Sequence, residues 1–266
     1  MDLLKTQTQL SLSELRNTLI RLEDTIIFGL IERAQFKSND IIYQQGAFHF
    51  DNGFTGSFLE YLIWELEKAH AKVRRYQSPD EYPFTPADHQ PPLPAPILPA
   101  LDYPPILHPN HININAQILT MYTASLIPQA CAPGDDSNYG SSATKDVECL
   151  QNLSKRIHYG KFIAESKFQD PQYHDQYVQL IKARDAKGIY QLLTNEAVER
   201  KLLRRLRRKA TIYGQDIDDD DATATATANA AGPSKISPDV VVDLYEKYVI
   251  PLTKQVEVDY LLQRLD

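Results

Sequence analysis

The chain has 266 residues, of which 24% are charged and 42% hydrophobic, enough apolar material for a substantial core in a soluble, globular protein. Its 28 basic and 35 acidic residues leave a net charge of -7, so no global field draws it to nucleic acid or anionic lipid. Only 10 glycines, set among runs of Leu, Ile, Ala, Glu, Lys and Gln, argue against a turn-rich β architecture and against glycine-dependent nucleotide cradles.

The first 15 residues lack a basic stretch followed by an apolar core, and no apolar run nears the roughly 20 residues that span a bilayer. Cys131 and Cys149 fit neither a metal-ligand spacing nor a disulfide framework. A cytoplasmic, mostly helical protein is therefore expected.

In chain order, Ser11 and Glu14 form an S-x-x-E start ahead of Leu12, Leu15, Leu19, Leu22, Ile26 and Leu30, which predicts a long amphipathic helix to Phe36. Phe58, Leu62, Leu66, Ala69 and Val73 predict a second helix that ends near Arg74 and Arg75. Residues 79–109 hold 11 of the 17 prolines and read as an extended segment wrapped over the surface, with an SH3-type ligand as the alternative. Helical spacing resumes at Ile114 and is expected to stop at Pro128.

Residues 141–168 form the longest continuous helical pattern, followed by shorter pieces at 173–183 and 189–193 and a helix over 197–213. Residues 215–235 are acidic, then Ala/Thr-repetitive, and read as a mobile loop that lacks the ligand spacing of a calcium site. Ser237 and Pro238 start a last helical region that should kink at Pro251. Helical segments spread through the whole chain predict one all-α domain over 1–266.

Charges interrupt the apolar seams. Cys149, Leu153, Arg156, Gly160, Ile163 and Lys167 share one stripe, with Arg156 and Lys167 about 20° apart around the axis and about 16.5 Å along it. The small Gly160 between them leaves room for an anion. Arg16 lies between Leu12 and Leu19, Glu199 one turn before Leu203, and Thr253 one turn before Glu257. Buried charges are costly unless paired or used, so each either snorkels, pairs with a neighbour, or serves a ligand.

Other features have plain readings beside functional ones. The run RKLLRRLRRK over 200–209 can grip phosphates or present a solvated helix face. His108 and His111 sit among prolines without further metal ligands, so no metal is expected. Arg74 and Arg75 suit a helix C-terminus, and Asn195 suits an N-cap.

Taken together, the blocks LSELRNTLIRLEDTIIFGLIERAQF, GSFLEYLIWELEKAHAKVRRYQSPDEYPF, NYGSSATKDVECLQNLSKRIHYGKFIAESKFQ, TNEAVERKLLRRL and YVIPLTKQVEVDYLLQRL resemble, in order, the all-helical chorismate mutases of fungi and plants, particularly the allosteric fungal enzymes. The resemblance implies a Claisen rearrangement of chorismate to prephenate, in phenylalanine and tyrosine biosynthesis, with no nucleophile or cofactor. It assigns Arg16 and Arg156 to the substrate carboxylates, with Thr253 assisting. It sets Lys167 and Glu257 beside the ether oxygen, and Glu199 and Asn195 at the hydroxyl and its polar edge.

It further implies a homodimer inhibited by tyrosine and activated by tryptophan at a site between subunits, with Arg74, Arg75, Asn138, Gly140, Ser141 and Thr144 as effector contacts. Residues 215–235 depart from the family in length and in their Asp, Ala and Thr content, which bears on the effector response. A catalytically silent helical scaffold, with the seam charges structural and the basic helix docking an acidic partner, is the competing class.

Overall fold

The computed structural model describes Leu3, residues 10–215 and residues 234–266. Regular structure among them is helical throughout: α1 (Leu12–Ala34), α2 (Phe58–Lys72), α3 (Asn115–Met121), α4 (Ile127–Ala130), α5 (Tyr139–His158), α6 (Gly160–Phe168), α7 (His174–Lys182), α8 (Ala186–Leu193), α9 (Glu196–Tyr213), α10 (Pro238–Leu244) and α11 (Ile250–Leu262). Most of the 215–235 loop expectation falls outside the described residues. At its ends, the Lys235 amide donates to the Gly214 carbonyl at 2.9 Å, so the segment leaves and returns at one point.

Local chemistry explains the starts. Ser11 Oγ accepts from the Glu14 amide at 3.5 Å. A full capping box stands at α2, where Ser57 Oγ accepts from the Glu60 amide at 3.2 Å and Glu60 accepts from the Ser57 amide at 2.8 Å. Ser237 caps α10 with Pro238 in its first turn.

Neither Pro128 nor Pro251 ends or breaks its helical run. A π turn precedes each, over Tyr122–Leu126 and Tyr245–Val249, and each proline then occupies the first turn of the following helix. The wider turn absorbs the missing amide donor and the ring, so the chain continues through α4 and α11. The expected stop at Pro128 is therefore corrected.

The core forms where α1 packs along α5 and where α11 packs on α6, α5 and α8. Leu15, Leu22, Ile26, Ile27 and Leu30 of α1 are buried, each contributing about 1.5–3 kcal/mol on leaving water. A buried ionic knot locks the same helices together. Arg33 Nε donates to Asp146 Oδ1 at 2.6 Å, while Tyr122 and Tyr43 each donate to that carboxylate at 2.8 Å. Breaking such a pair from one side costs about 3–5 kcal/mol, because the remaining charge is stranded.

The proline-rich segment is an extended strap, as its composition predicts. It is pinned to α2 where the Phe84 and Thr85 amides donate to buried Glu67 at 2.7 and 2.8 Å. At its far end the His108 amide donates to Tyr260 Oη of α11 at 2.9 Å. Tyr260 donates in turn to Glu165 of α6 at 2.5 Å, which also receives Arg264. These bonds fix α6 against α11, the pair that carries the charged cluster below.

Candidate active site

The stripe read along 149–167 is a helix with a one-residue break at Tyr159, between α5 and α6. Its two cations both turn toward α11. Arg156, only 4% exposed, points Nη1 at Thr253 Oγ1 at 3.5 Å. Lys167 Nζ lies 3.5 Å from Glu257 Oε2 and donates to the Leu193 carbonyl at 2.9 Å. Thr253 and Glu257 are one turn apart on α11, about 6 Å along the axis, so the two cations converge.

Gly160 does not leave space for a ligand. A Cβ there would meet the Thr253 carbonyl oxygen at 2.9 Å and the Glu257 Cγ at 3.2 Å. Its missing side chain lets α11 approach α6 closely enough to present Thr253 and Glu257 between the cations. A Gly160→Val substitution is expected to cost about 1–3 kcal/mol by forced overpacking. A fall in the urea midpoint together with lost turnover checks this, and an unchanged midpoint would refute the close-packing role.

Arg156 Nε is buried with no hydrogen-bond partner. A guanidinium left short of acceptors in a buried site is poised for an anion. Glu257 is 6% exposed, and burial pushes its pKa up, with Lys167, Arg156 and Lys254 opposing that shift without reversing it. A carboxyl held toward its neutral form is a hydrogen-bond donor. Thus Arg156 and Lys167 meet Thr253 and Glu257 of α11 in one cluster.

Glu199, near the start of α9, is paired with Lys254 at 2.7 Å. Asn195 caps α9, its side-chain oxygen accepting from the Val198 amide at 3.1 Å, so the capping reading holds in this structure. Lys254 is a group that sequence reasoning missed. Its signal is a lysine inside the apolar run from 249 to 261, adjacent to Thr253 and one turn from Glu257.

Arg16 does not sit in a buried seam. It is exposed on α1, because Leu12 and Leu19 are only half-buried and the helix turns Leu15, Thr18 and Leu22 inward. The first turn of α1 nonetheless borders a cavity of about 450 Å³ lined by Leu10, Ser11, Leu12, Ser166, Lys167 and Asp170. Arg16 is one turn further along the same helix.

The basic run on α9 is partly used inside the molecule. Arg205 and Lys209 hold buried Glu23 of α1 at 2.6 and 3.2 Å, while Lys201, Arg204 and Arg208 are exposed. The helix is therefore more than a solvated face.

The six effector candidates form two groups. Arg74 has a left-handed backbone at φ 59° and donates to the Pro99 carbonyl, and Arg75 bonds Glu81 at 3.1 Å and Gln151 at 3.0 Å. Both arginines line a cavity of about 420 Å³ with Asp80, Glu81, Tyr103 and Lys155. Asn138, Gly140, Ser141 and Thr144 lie exposed at the opposite end of α5. Ser141 stands in the first turn, and Asn138 is the cap residue without a side-chain cap bond.

Fold and cluster together describe a helical protein that brings two cations, a threonine and a carboxyl side by side on α5, α6 and α11. Comparison with known proteins makes this specific. The model of the family "Chorismate mutase type II" matches residues 138–258. The chain is 49% identical over 260 residues to chorismate mutase 1, chloroplastic, of Zea mays, covering 97% of this chain and 80% of the relative. It is 47% identical to the chorismate mutase of Schizosaccharomyces pombe, with 97% of each covered.

Among solved structures, that of Aro7p chorismate mutase from Candida albicans in complex with L-Trp superposes with a TM-score of 0.88 at 43% identity, covering 100% of this chain and 95% of that one. AtCM1 with tyrosine bound in its allosteric site gives a TM-score of 0.83 at 46% identity, covering 98% and 99%. The chain belongs to the chorismate mutase family, a family of isomerases. Membership does not favour the silent scaffold. Among the described residues no helix is long and apolar enough to cross a membrane.

Proposed function

We propose that this protein is a cytoplasmic, homodimeric chorismate mutase, one domain over 1–266, that converts chorismate to prephenate in phenylalanine and tyrosine biosynthesis. The observation that carries the reading is the convergence of Arg156, Lys167, Thr253 and Glu257 in one cluster, with Arg156 Nε short of an acceptor and burial raising the Glu257 pKa.

The rearrangement is pericyclic. The ether C–O bond breaks as the new C–C bond forms, so the protein must fold a dianion into the reactive shape and stabilise charge that grows on the ether oxygen. Arg156 holds one carboxylate bidentately with Thr253 beside it, and Arg16 closes on the other from α1. Lys167 and protonated Glu257 donate to the ether oxygen, and both bonds strengthen as its charge develops. Glu199 accepts from the ring hydroxyl, and Asn195 lies at its polar edge. The reading requires no metal or organic cofactor.

Regulation follows from the split effector set. Arg75 reaches Gln151, ten residues beyond Ser141 on α5, which is about 15 Å along the helix. One amino acid cannot bridge that gap within a protomer. In a two-fold dimer, Arg74 and Arg75 of one protomer meet Asn138, Gly140, Ser141 and Thr144 of its partner. Tyrosine there inhibits and tryptophan activates. The tryptophan bound to the Candida albicans enzyme and the tyrosine and phenylalanine bound in the allosteric site of AtCM1 support this ligand class.

The test follows the ultraviolet absorbance of chorismate with purified protein, alone and with tyrosine or tryptophan. The expected result is prompt loss with prephenate as product, slowed by tyrosine and accelerated by tryptophan. Turnover indifferent to both amino acids would refute the regulatory part. Absence of turnover by folded dimer, at acid and neutral pH, would refute the whole reading.

A further inference from the structure

Lys254 has a mechanistic position of its own. It lies on α11 between Thr253 and Glu257 and is 8% exposed, in a place where an unpaired ammonium is costly. Its Nζ is 2.7 Å from Glu199 Oε1 on α9 and 4.8 Å above the centre of the Tyr190 ring on α8. It thus ties α11 to α9 and α8, while Lys167 ties α6 to the end of α8 through the Leu193 carbonyl.

The ion pair joins Lys254 Nζ to Glu199 Oε1, and the Glu199 side chain remains 28% exposed. We propose that Lys254 is a positioning residue, which anchors Glu199 from α11 and aims its carboxylate at a donor hydroxyl of the bound substrate. The inference rests on the reading of Glu199 as a substrate contact. Without the ammonium, Glu199 is free to rotate about its side-chain bonds, which removes an acceptor of fixed direction.

A second consequence concerns Glu257, which faces Lys167 from α6, Arg156 from α5, Tyr177 from α7 and Lys254 from its own helix. Each of the three cations favours its ionised form. Removing the Lys254 charge should therefore let Glu257 keep its proton to higher pH.

The experiment is a double-mutant cycle of Lys254→Met and Glu199→Gln in the full chain, with kcat and KM measured across pH and folding followed by helical signal and denaturation midpoint. If Lys254 acts through Glu199, each single change lowers kcat/KM by at least about tenfold, and the double variant lies within about twofold of Glu199→Gln alone. The alkaline fall in rate moves to higher pH in Lys254→Met and not in Glu199→Gln, a separate report of the lost charge beside Glu257, so the cycle is compared at acid pH, below that fall. Lys254→Arg, which keeps a charge within reach of Glu199, recovers most of the activity even if the Met variant folds poorly.

Independent, additive losses would overturn the proposal and give Lys254 its own contact with substrate. A Glu199→Gln enzyme with wild-type kinetics would instead remove Glu199 from the site, and the role of Lys254 with it. A failed rescue by Lys254→Arg in a folded protein would also overturn it.

Discussion

Replacing Arg156 with alanine is expected to lower kcat/KM for chorismate by about 10² to 10⁴, the equivalent of the roughly 3–5 kcal/mol lost when one partner of a buried, hydrogen-bonded charge pair is removed. The stability of the free enzyme should change little. The guanidinium is buried with a marginal bond at 3.5 Å to Thr253, an Nε without a partner and the Tyr245 ring 5.8 Å away, contacts weaker than an ion pair. On the proposed reading its counter-charge is a carboxylate of the substrate.

Arg156→Lys should remain impaired, since an ammonium cannot offer two parallel donors to a carboxylate from the same backbone position. Steady-state kinetics paired with a urea denaturation curve check the point. A variant that loses activity only as far as it loses fold would make Arg156 structural and would return the seam charges to the scaffold reading.

The helical architecture was legible because its signals are local. Caps at Ser11 and Ser237, the 3.6-residue periodicity of α1 and α5, and the proline density of the strap each act within a few residues. The π turns before Pro128 and Pro251 were not legible. A proline reports only that one backbone bond is lost, and whether the chain stops or widens its turn depends on packing against distant helices. Tyr122 and Tyr245, each buried within its π turn, supply that packing, Tyr122 through its bond to Asp146.

The site shows the same division. Arg156, Lys167 and Glu257 could be singled out as charges in apolar seams, but the partner of each lies on another helix. Gly160 reads as an empty space along one helix and proves to be the contact point of a second. Arg16 shares the spacing of Leu12 and Leu19, which are only half-buried, and faces outward, because periodicity gives the stripe and not its edge. Lys254 was hidden beside Thr253 until α9 supplied Glu199. Likewise, no spacing rule reveals that Arg75 meets α5 at Gln151, ten residues from Ser141.

Glu257→Gln is expected to change the shape of the pH–rate profile and not only its height. Burial raises the Glu257 pKa, so the proton persists above the ordinary carboxylate range and leaves as pH climbs through the raised value. On the proposed reading the protonated form donates to the ether oxygen, so wild-type kcat should fall by about tenfold per pH unit beyond that point. A glutamine amide donates at every pH. The variant should therefore be slower in acid, where the carboxyl is the better-matched donor to the developing charge, and faster than wild type well above the pKa, where Lys167 would otherwise act beside a carboxylate that repels the growing negative charge. Crossing profiles in a constant-ionic-strength buffer series are the expected observation. A Gln variant with the same alkaline slope as wild type would place the controlling proton elsewhere and remove Glu257 as the donor.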